Sequence, residues 1–331
     1  SRIRRKCAFD SSGALVASSV GSLASGATVN WYNLHVYPLS KANMPSYHNI
    51  GIVHNGELAE AAELARKLTA TYDDGRNWWL ATQSNLDEQA DNLLQSDLVI
   101  TIGGDGTILR GAHAAASRDI PVLGVNMGRV GFMSDIENRN AVDEIGWYLD
   151  GNARIEQRFM LNAVISDSNG ESNQILALND VTVARGAALR VIEVSTVVDG
   201  VHLATYRGDG VVVSTATGST GYSLALGGPV MDPTSRDFLV KPIASHMSQF
   251  GGAVLQASST VELTVEAYED ATLNADGFID HTLSAGQTVT ITQAGDYVSF
   301  LRRKPAADFW GDLSRRLELR KGSVNSSRRR R

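Results

Sequence analysis

A single cysteine, Cys7, in 331 residues excludes an internal disulfide and a cysteine-rich metal site, and suits a reducing compartment. Long hydrophobic runs are missing too. Gly, Ser, Asn or a charge interrupts each apolar stretch before the roughly 18 residues of a membrane span are reached. Positive charge is short: 30 Lys and Arg against 36 Asp and Glu leave a net charge of −6, which argues against nucleic acid as the main partner. No lysine follows a glycine, so the chain has no P-loop. A dinucleotide fingerprint is absent as well, because Leu109 stands where a glycine would be needed three residues after Gly106.

What the chain does have is concentrated in one turn, Gly103-Gly104-Asp105-Gly106-Thr107. It follows an apolar strand at 98–102 and leads into a helical stretch at 108–116. Three glycines around one carboxylate let the backbone bend, approach a phosphate closely and present N–H groups at a helix start. Asp105 is the only side chain there able to take a proton, which suits phosphoryl transfer to a hydroxyl. A plain helix cap is the competing reading.

The pattern divides the chain. Strands and helices alternate over 49–150: a buried strand at 50–53, a helix with Leu58, Ala61, Ala65 and Leu68 on one face, a strand at 121–125 and a helix at 140–149. Such alternation predicts a parallel sheet covered on both faces, with ligands beyond the carboxyl ends of the strands. From about 158 strand-like runs dominate, at 161–165, 175–183, 191–198, 201–206, 261–267 and 288–291. Asp199-Gly200 and Asp276-Gly277 read as hairpin turns. The second half is therefore expected to be mostly antiparallel β, as a sandwich or layered sheet, with one helix beginning near Ser219. Phe309, Leu313 and Leu317 mark a C-terminal helix packing on a core. The expected division is 1–48, a poorly ordered extension; 49–155, the α/β domain; 156–303, the β-rich domain; and 304–331, a helix with a basic tail.

Residues 1–40 carry Arg2, Arg4, Arg5 and Lys6, many serines and one acid, Asp10, a pattern shared by transit peptides and by unstructured extensions. The expected location is the cytoplasm, or an organelle if these residues act as a transit peptide. Arg328 to Arg331 form a solvated tail with no assigned chemistry.

Two further groups carry chemistry. Asn179-Asp180 interrupts an apolar run; burying both is costly unless each is hydrogen-bonded, and a structural turn or a ligand would each explain them. Arg207-Gly208-Asp209-Gly210 runs through an apolar strand into Thr215 to Ser223, a loop of hydroxyls and glycines suited to phosphates or sugars. Tyr222 adds an aromatic face. No His, Cys or carboxylate spacing supports a tightly held metal, so any divalent cation is expected to arrive with a nucleotide.

Together these blocks resemble the NAD kinase family: 103–107, 124–132, Leu178-Asn179-Asp180, and 209–229, in order over about 49–319. The resemblance implies that Asp105 deprotonates the 2′-hydroxyl of the adenosine ribose of NAD for attack on the terminal phosphate of ATP. Gly104 and Gly106 would hold phosphate and Arg110 would lie near the dinucleotide pyrophosphate. Asn179 and Asp180 would contact adenosine; Arg190, Arg207 and Asp209 would line the rest. Thr220, Gly221, Tyr222, Ser223, Leu224 and Ala225 would close around the dinucleotide. Mg²⁺ would enter with ATP. Polyphosphate is an alternative donor, and a homo-oligomer is expected. Arg207 would fix Asp209 and go with a preference for NAD over NADH. The chain departs from the family at Gly221, usually Ala, at Phe278, usually Gln, and after His246. A lipid or sugar kinase of the same superfamily and a non-catalytic dinucleotide sensor are the competing readings.

Overall fold

The structure is a computed structural model that describes residues 6–9, 15–18, 47–116, 118–128, 131–166, 172–186, 190–245, 251–266 and 271–321. The rest of the expected extension up to residue 46, the segment 246–250 that includes the departure from the family pattern after His246, and the basic tail lie outside the described residues. Strands β1 (Lys6–Phe9) and β2 (Leu15–Ser18) pair antiparallel, Lys6 opposite Ser18, in a unit ending at Met44.

Pro45–Arg331 form the second unit. It opens with β3 (Asn49–His54), α1 (Ala59–Thr71), β4 (Asn77–Thr82), α2 (Ala90–Leu94), β5 (Leu98–Gly103), α3 (Asp105–Ala116), β6 (Val122–Asn126), β7 (Ile136–Glu137) and α4 (Ala141–Leu149). These strands are parallel, in the order β4-β3-β5-β6, with β7 beside β6. Every residue of β5 and β6 is buried, which explains their unbroken apolar sequences. Alternate side chains feed two cores. Leu98, Ile100 and Ile102 pack with Ala61, Ala65 and Leu68 of α1 and Ile145 of α4, while Val99 packs with Ile108, Leu109 and Ala112 of α3.

There follow β8 (Arg154–Ser166), β9 (Ser172–Ala177), β10 (Asp180–Arg185), β11 (Ile192–Val198), β12 (Val201–Gly208) and β13 (Gly210–Thr215). Next come α5 (Tyr222–Ala225), β14 (Phe238–Ile243), β15 (Ala253–Leu255), β16 (Val261–Val265), β17 (Ala271–Ala275), β18 (Ile279–Leu283), β19 (Thr288–Arg302) and α6 (Asp308–Lys321). A six-stranded antiparallel sheet, β15-β14-β13-β10-β17-β18, faces the antiparallel part of the larger sheet. Leu161, Val181, Val183, Val211, Val213 and Leu263 fill the space between them. This layered arrangement is the one expected. Asp199-Gly200 turns β11 into β12 with φ of 51° and 78°, the left-handed pair a two-residue hairpin needs.

Strand β19 is much longer than the 288–291 run read from the sequence. It pairs antiparallel with β16 at Ile291 and parallel with β6 at Phe300, so the two kinds of sheet are continuous. Its register with β8 shifts between Gln293 and Tyr297, where Gly295 and Asp296 break the apolar alternation that would have revealed it. The run at 175–183 is likewise two strands in different sheets, β9 and β10, with Leu178-Asn179 as the bend between them. Helix α6 packs back through buried Leu313 and through Arg316, whose guanidinium lies 4.6 Å from the Phe132 ring centre.

Candidate active site

Strand β5 delivers the glycine turn to the carboxyl end of the parallel sheet. The Gly104 carbonyl accepts hydrogen bonds from Thr107 and Ile108, 3.0 and 3.1 Å, so the N–H groups of Asp105 and Gly106 sit at the open, electropositive start of α3. A Cβ at Gly104 or Gly106 would meet no atom within 4 Å, so these glycines answer no packing demand and leave room beside Asp105. Gly103 is different: a Cβ there would run into Thr107, whose hydroxyl donates to Gln83 Oε1 at 2.6 Å. Asp105 Oδ2 accepts the Phe132 N–H at 3.2 Å, and Oδ1 is buried without a hydrogen-bond partner among the described residues. Gly131 packs against that carboxylate so closely that any Cβ would overlap it. A buried carboxylate oxygen left unbonded is costly, and a donor brought by a ligand would relieve it.

Asn179 and Asp180 sit at the bend, and their backbone is held by a third carboxylate. Asp276 accepts N–H bonds from Leu178, Asn179 and Asp180 at 2.8, 2.7 and 3.2 Å. The Asn179 carbonyl takes the Thr215 N–H and the Ser214 hydroxyl. Asp276 itself lies at φ 56° and Gly277 at 75°, in the hairpin turn between β17 and β18. Burial, followed by the adjacent Asp276, pushes the Asp180 carboxyl up to about 7. Burial also raises Asp276, against the three N–H bonds and nearby His113. Asn179, Asp180, Thr182, Asn274, Asp276 and Tyr222 line a cavity of about 350 Å³. Tyr222 is half-exposed, its hydroxyl held above its usual range by burial, then by Asp209 and Asp180, so these three groups converge.

Helix α3 joins the two places. Arg110 stacks 4.6 Å above the Phe278 ring, and His113 meets the same ring edge-on while bonding the Leu176 carbonyl at 2.9 Å. Phe278 follows Asp276-Gly277, so the helix that starts at Asp105 ends against the hairpin that bounds the cavity.

Other expected residues are placed differently. Arg207 lies across from Glu193 on the β11–β12 pair, 3.7 Å away and 69% exposed, and does not reach Asp209. Asp209 is paired with Arg185 instead, at 2.7 Å. The register explains the swap: the strands alternate faces, and Arg185 N–H bonds the Asp209 carbonyl across the sheet. Arg190 is exposed just before β11. The expected helix near Ser219 is a 3₁₀ turn, Gly218–Thr220, followed by the single turn α5 carrying Tyr222, Ser223, Leu224 and Ala225. Gly221 joins the two, and a Cβ there would lie 3.3 Å from the Gly218 carbonyl. Several hydroxyls of this loop donate to backbone carbonyls: Ser219 to Ala216 and Thr220 to Thr217 within the loop, and Thr215 to Leu178 of the β9–β10 bend. These bonds shape the loop and use the proton of each of the three hydroxyls. Ser223 Oγ is buried and unbonded among the described residues.

Sequence reasoning assigned no site role to Gly131, Arg185 or Asp276, which contact Asp105, Asp209 and the backbone of residues 178–180 respectively. Asp276 had a signal, an Asp-Gly turn between two apolar runs, and Gly131 lay in the 124–132 block that carries the family resemblance; Arg185 had none without the pairing. Among the described residues no group of three His, Cys, Asp or Glu could hold a metal ion. No described helix is long and apolar enough to cross a membrane.

Two family models match: the ATP-NAD kinase N-terminal domain over residues 50–152 and the ATP-NAD kinase C-terminal domain over 178–303. The chain is 39% identical over 280 residues to the NAD kinase of Dehalococcoides mccartyi strain CBDB1, covering 84% of this chain and 99% of that protein. It is 35% identical over 286 residues to the NAD kinase of Gemmatimonas aurantiaca, covering 81% and 98%. Among solved structures it is similar to an NAD kinase from Archaeoglobus fulgidus in complex with ATP, with 25% identity, a TM-score of 0.64 and coverage of 81% and 98%. The yeast NADH kinase complexed with NADH shares the fold, with a TM-score of 0.72 at 21% identity and coverage of 89% and 94%.

Proposed function

The chain belongs to the NAD kinase family, and we propose on that premise that Asp105 is the base that prepares the accepting hydroxyl. The protein is an NAD kinase: it transfers the terminal phosphoryl group of ATP to the 2′-hydroxyl of the adenosine ribose of NAD, giving NADP. In the proposed mechanism the adenosine half of NAD enters the cavity edged by Asn179, Asp180 and Tyr222. Its ribose extends toward the start of α3, where the 2′-hydroxyl donates to Asp105. As the hydroxyl oxygen attacks phosphorus, its proton passes to the carboxylate and ADP leaves. The N–H groups of Asp105 and Gly106 then face the phosphate being transferred, in the space the two open glycines leave. Mg²⁺ belongs to the donor as its magnesium complex and offsets phosphate charge. Polyphosphate as a second donor and assembly into a homo-oligomer belong to the same proposal.

The observation that carries this reading is the Asp105 carboxylate: half-buried, with Oδ1 unbonded, at an uncrowded helix start whose far end abuts the cavity hairpin. Asp105→Asn keeps the size and loses the base. It is expected to reduce kcat by about 10²–10⁴-fold while leaving NAD affinity within a few-fold. Turnover measured as NADP formation, with NAD binding measured in parallel, checks this. Near-normal turnover would exclude Asp105 as the base, and a matching loss of binding would make it a positioning group.

A further inference from the structure

A second cavity lies on the other side of Phe132, between β8, the end of β19 and α6. It measures about 50 Å³, where a single water needs roughly 10–15 Å³ on the same scale. Its walls carry five cations, Arg154, Arg158, Arg302, Lys304 and Arg316. Three of the four acids around it, Glu156, Asp135 and Asp312, are already engaged. Glu156 is shared by three guanidiniums, taking bonds from Arg154 Nη2 at 2.7 Å, Arg158 Nε at 2.9 Å and Arg302 Nε at 3.1 Å. Asp135 accepts the Tyr148 hydroxyl and the Arg303 N–H, and Asp312 is paired with Lys304 and Arg315. Asp308, at the start of α6, completes the acidic rim.

Donors therefore outnumber acceptors. Arg302 is only 5% exposed; Nη1 donates to the Met133 carbonyl, but Nη2 is buried with no partner among the described residues. A guanidinium presents five N–H donors in a fixed fork, and with Nε and Nη1 of Arg302 already bonded, Nη2 is left calling for a further acceptor, a role a phosphate oxygen can fill. Arg316 lies over the Phe132 ring, and the Phe132 N–H is bonded to Asp105, so the cavity adjoins the catalytic carboxylate through one residue.

We propose that this cavity is a binding site for a phosphate group, held by Arg302 from within and by Arg316 and Lys304 at its mouth. The chemistry fits free inorganic phosphate and the end of a phosphoanhydride chain alike. The inference stands apart from the proposed catalytic role of Asp105, because its test needs no turnover.

Calorimetric titration of the whole chain with inorganic phosphate, and separately with tripolyphosphate, provides the test, with sodium chloride at matched ionic strength as the reference. Both anions are expected to bind the unaltered protein. The double variant Arg316→Gln/Lys304→Gln changes only partly exposed side chains and is expected to weaken that binding at least ten-fold, with NAD affinity within two-fold. Arg302→Lys, which keeps the charge and removes Nη2, is expected to weaken it as well; should that variant fail to fold, the double variant carries the test. Repeating the titration with saturating ATP separates the sources. Loss of phosphate binding identifies the cavity with the donor's phosphates, and unchanged binding identifies a separate site for the free anion. Absence of any phosphate heat beyond chloride, or equal affinity in the double variant, would overturn the proposal.

Discussion

At the scale of single residues, the geometry around Asp105 makes a demand that no charge or hydrogen bond announces. Gly131 must be glycine because the Asp105 carboxylate occupies the space of its Cβ. In Gly131→Ala the carboxylate has to move, and a displacement of about 1 Å at a reacting group can cost 10²-fold in rate. We expect kcat to fall by about that factor with little change in melting temperature, since Gly131 is only half-buried. Full activity in Gly131→Ala would mean that the carboxylate works from another position. The Arg185–Asp209 pair is a second residue-scale case. Both side chains are about a third exposed, so its worth to stability is small, about 0–1 kcal/mol. Its effect on orientation is larger, because it fixes the carboxylate that faces Tyr222. Arg185→Gln is expected to raise the KM for NAD and to narrow any preference for NAD over NADH, and Arg207→Gly to do so less. Comparing the two variants with both dinucleotides decides which arginine acts on Asp209.

The bend between β9 and β10 is the element on which the cavity proposed for the dinucleotide depends. Three N–H groups converge on Asp276, and its neighbour Asp180 pays in pKa for the crowding of two buried carboxyls. Asp180 ionises near 4 in the unfolded chain and at about 7 in the folded one. Between those values the folded protein keeps a proton that the unfolded chain has released, so this group's contribution to stability falls as pH rises from about 4 to 7. Asp180→Asn removes the titration. The urea midpoint of the variant is expected to change less between pH 5 and pH 8, and at pH 8 to equal or exceed that of the unaltered protein. An unchanged slope would place the titration elsewhere. The same substitution should raise the KM for NAD more than that for ATP, since Asp180 edges the cavity assigned to adenosine.

Across the whole molecule, β19 and its partner β8 bind the parallel and antiparallel parts into one sheet, and the Glu156 cluster sits where they meet. Burial alone would raise the Glu156 carboxyl; Arg158 and Arg302, with the bonds from Arg154 and Arg158, outweigh it and hold the value at about 2. The sign is opposite to that of Asp180: this stabilisation is complete above about pH 4.5 and lost as pH falls through 2. Glu156→Gln leaves buried guanidiniums without their shared negative charge, a loss of about 3–5 kcal/mol. A lowered urea midpoint at pH 7, for both the near-ultraviolet and far-ultraviolet signals, is the expected outcome. Separate transitions for the two signals would mean that β19 does not couple the halves.

Local pattern alone determined a good deal: the alternation of β3, α1, β5 and α3, the antiparallel second half, the Asp199-Gly200 and Asp276-Gly277 turns, and Asp105 as the one carboxylate in the glycine turn. Each of these is a matter of periodicity or backbone conformation within a few residues, and short-range chemistry is written in order along the chain. Tertiary structure decided what depends on register and on long-range contact. The run at 175–183 reads as one strand because its apolar residues continue through the bend; only Asp276, about a hundred residues on, divides it between two sheets. Arg207 stands closer than Arg185 to Asp209 in sequence, yet pairing of β10 with β13 brings Arg185 across and leaves Arg207 facing Glu193. The burial of Glu156, Arg158 and Arg302 had no local sign, because a charged residue in an amphipathic strand reads as solvated until another strand covers it.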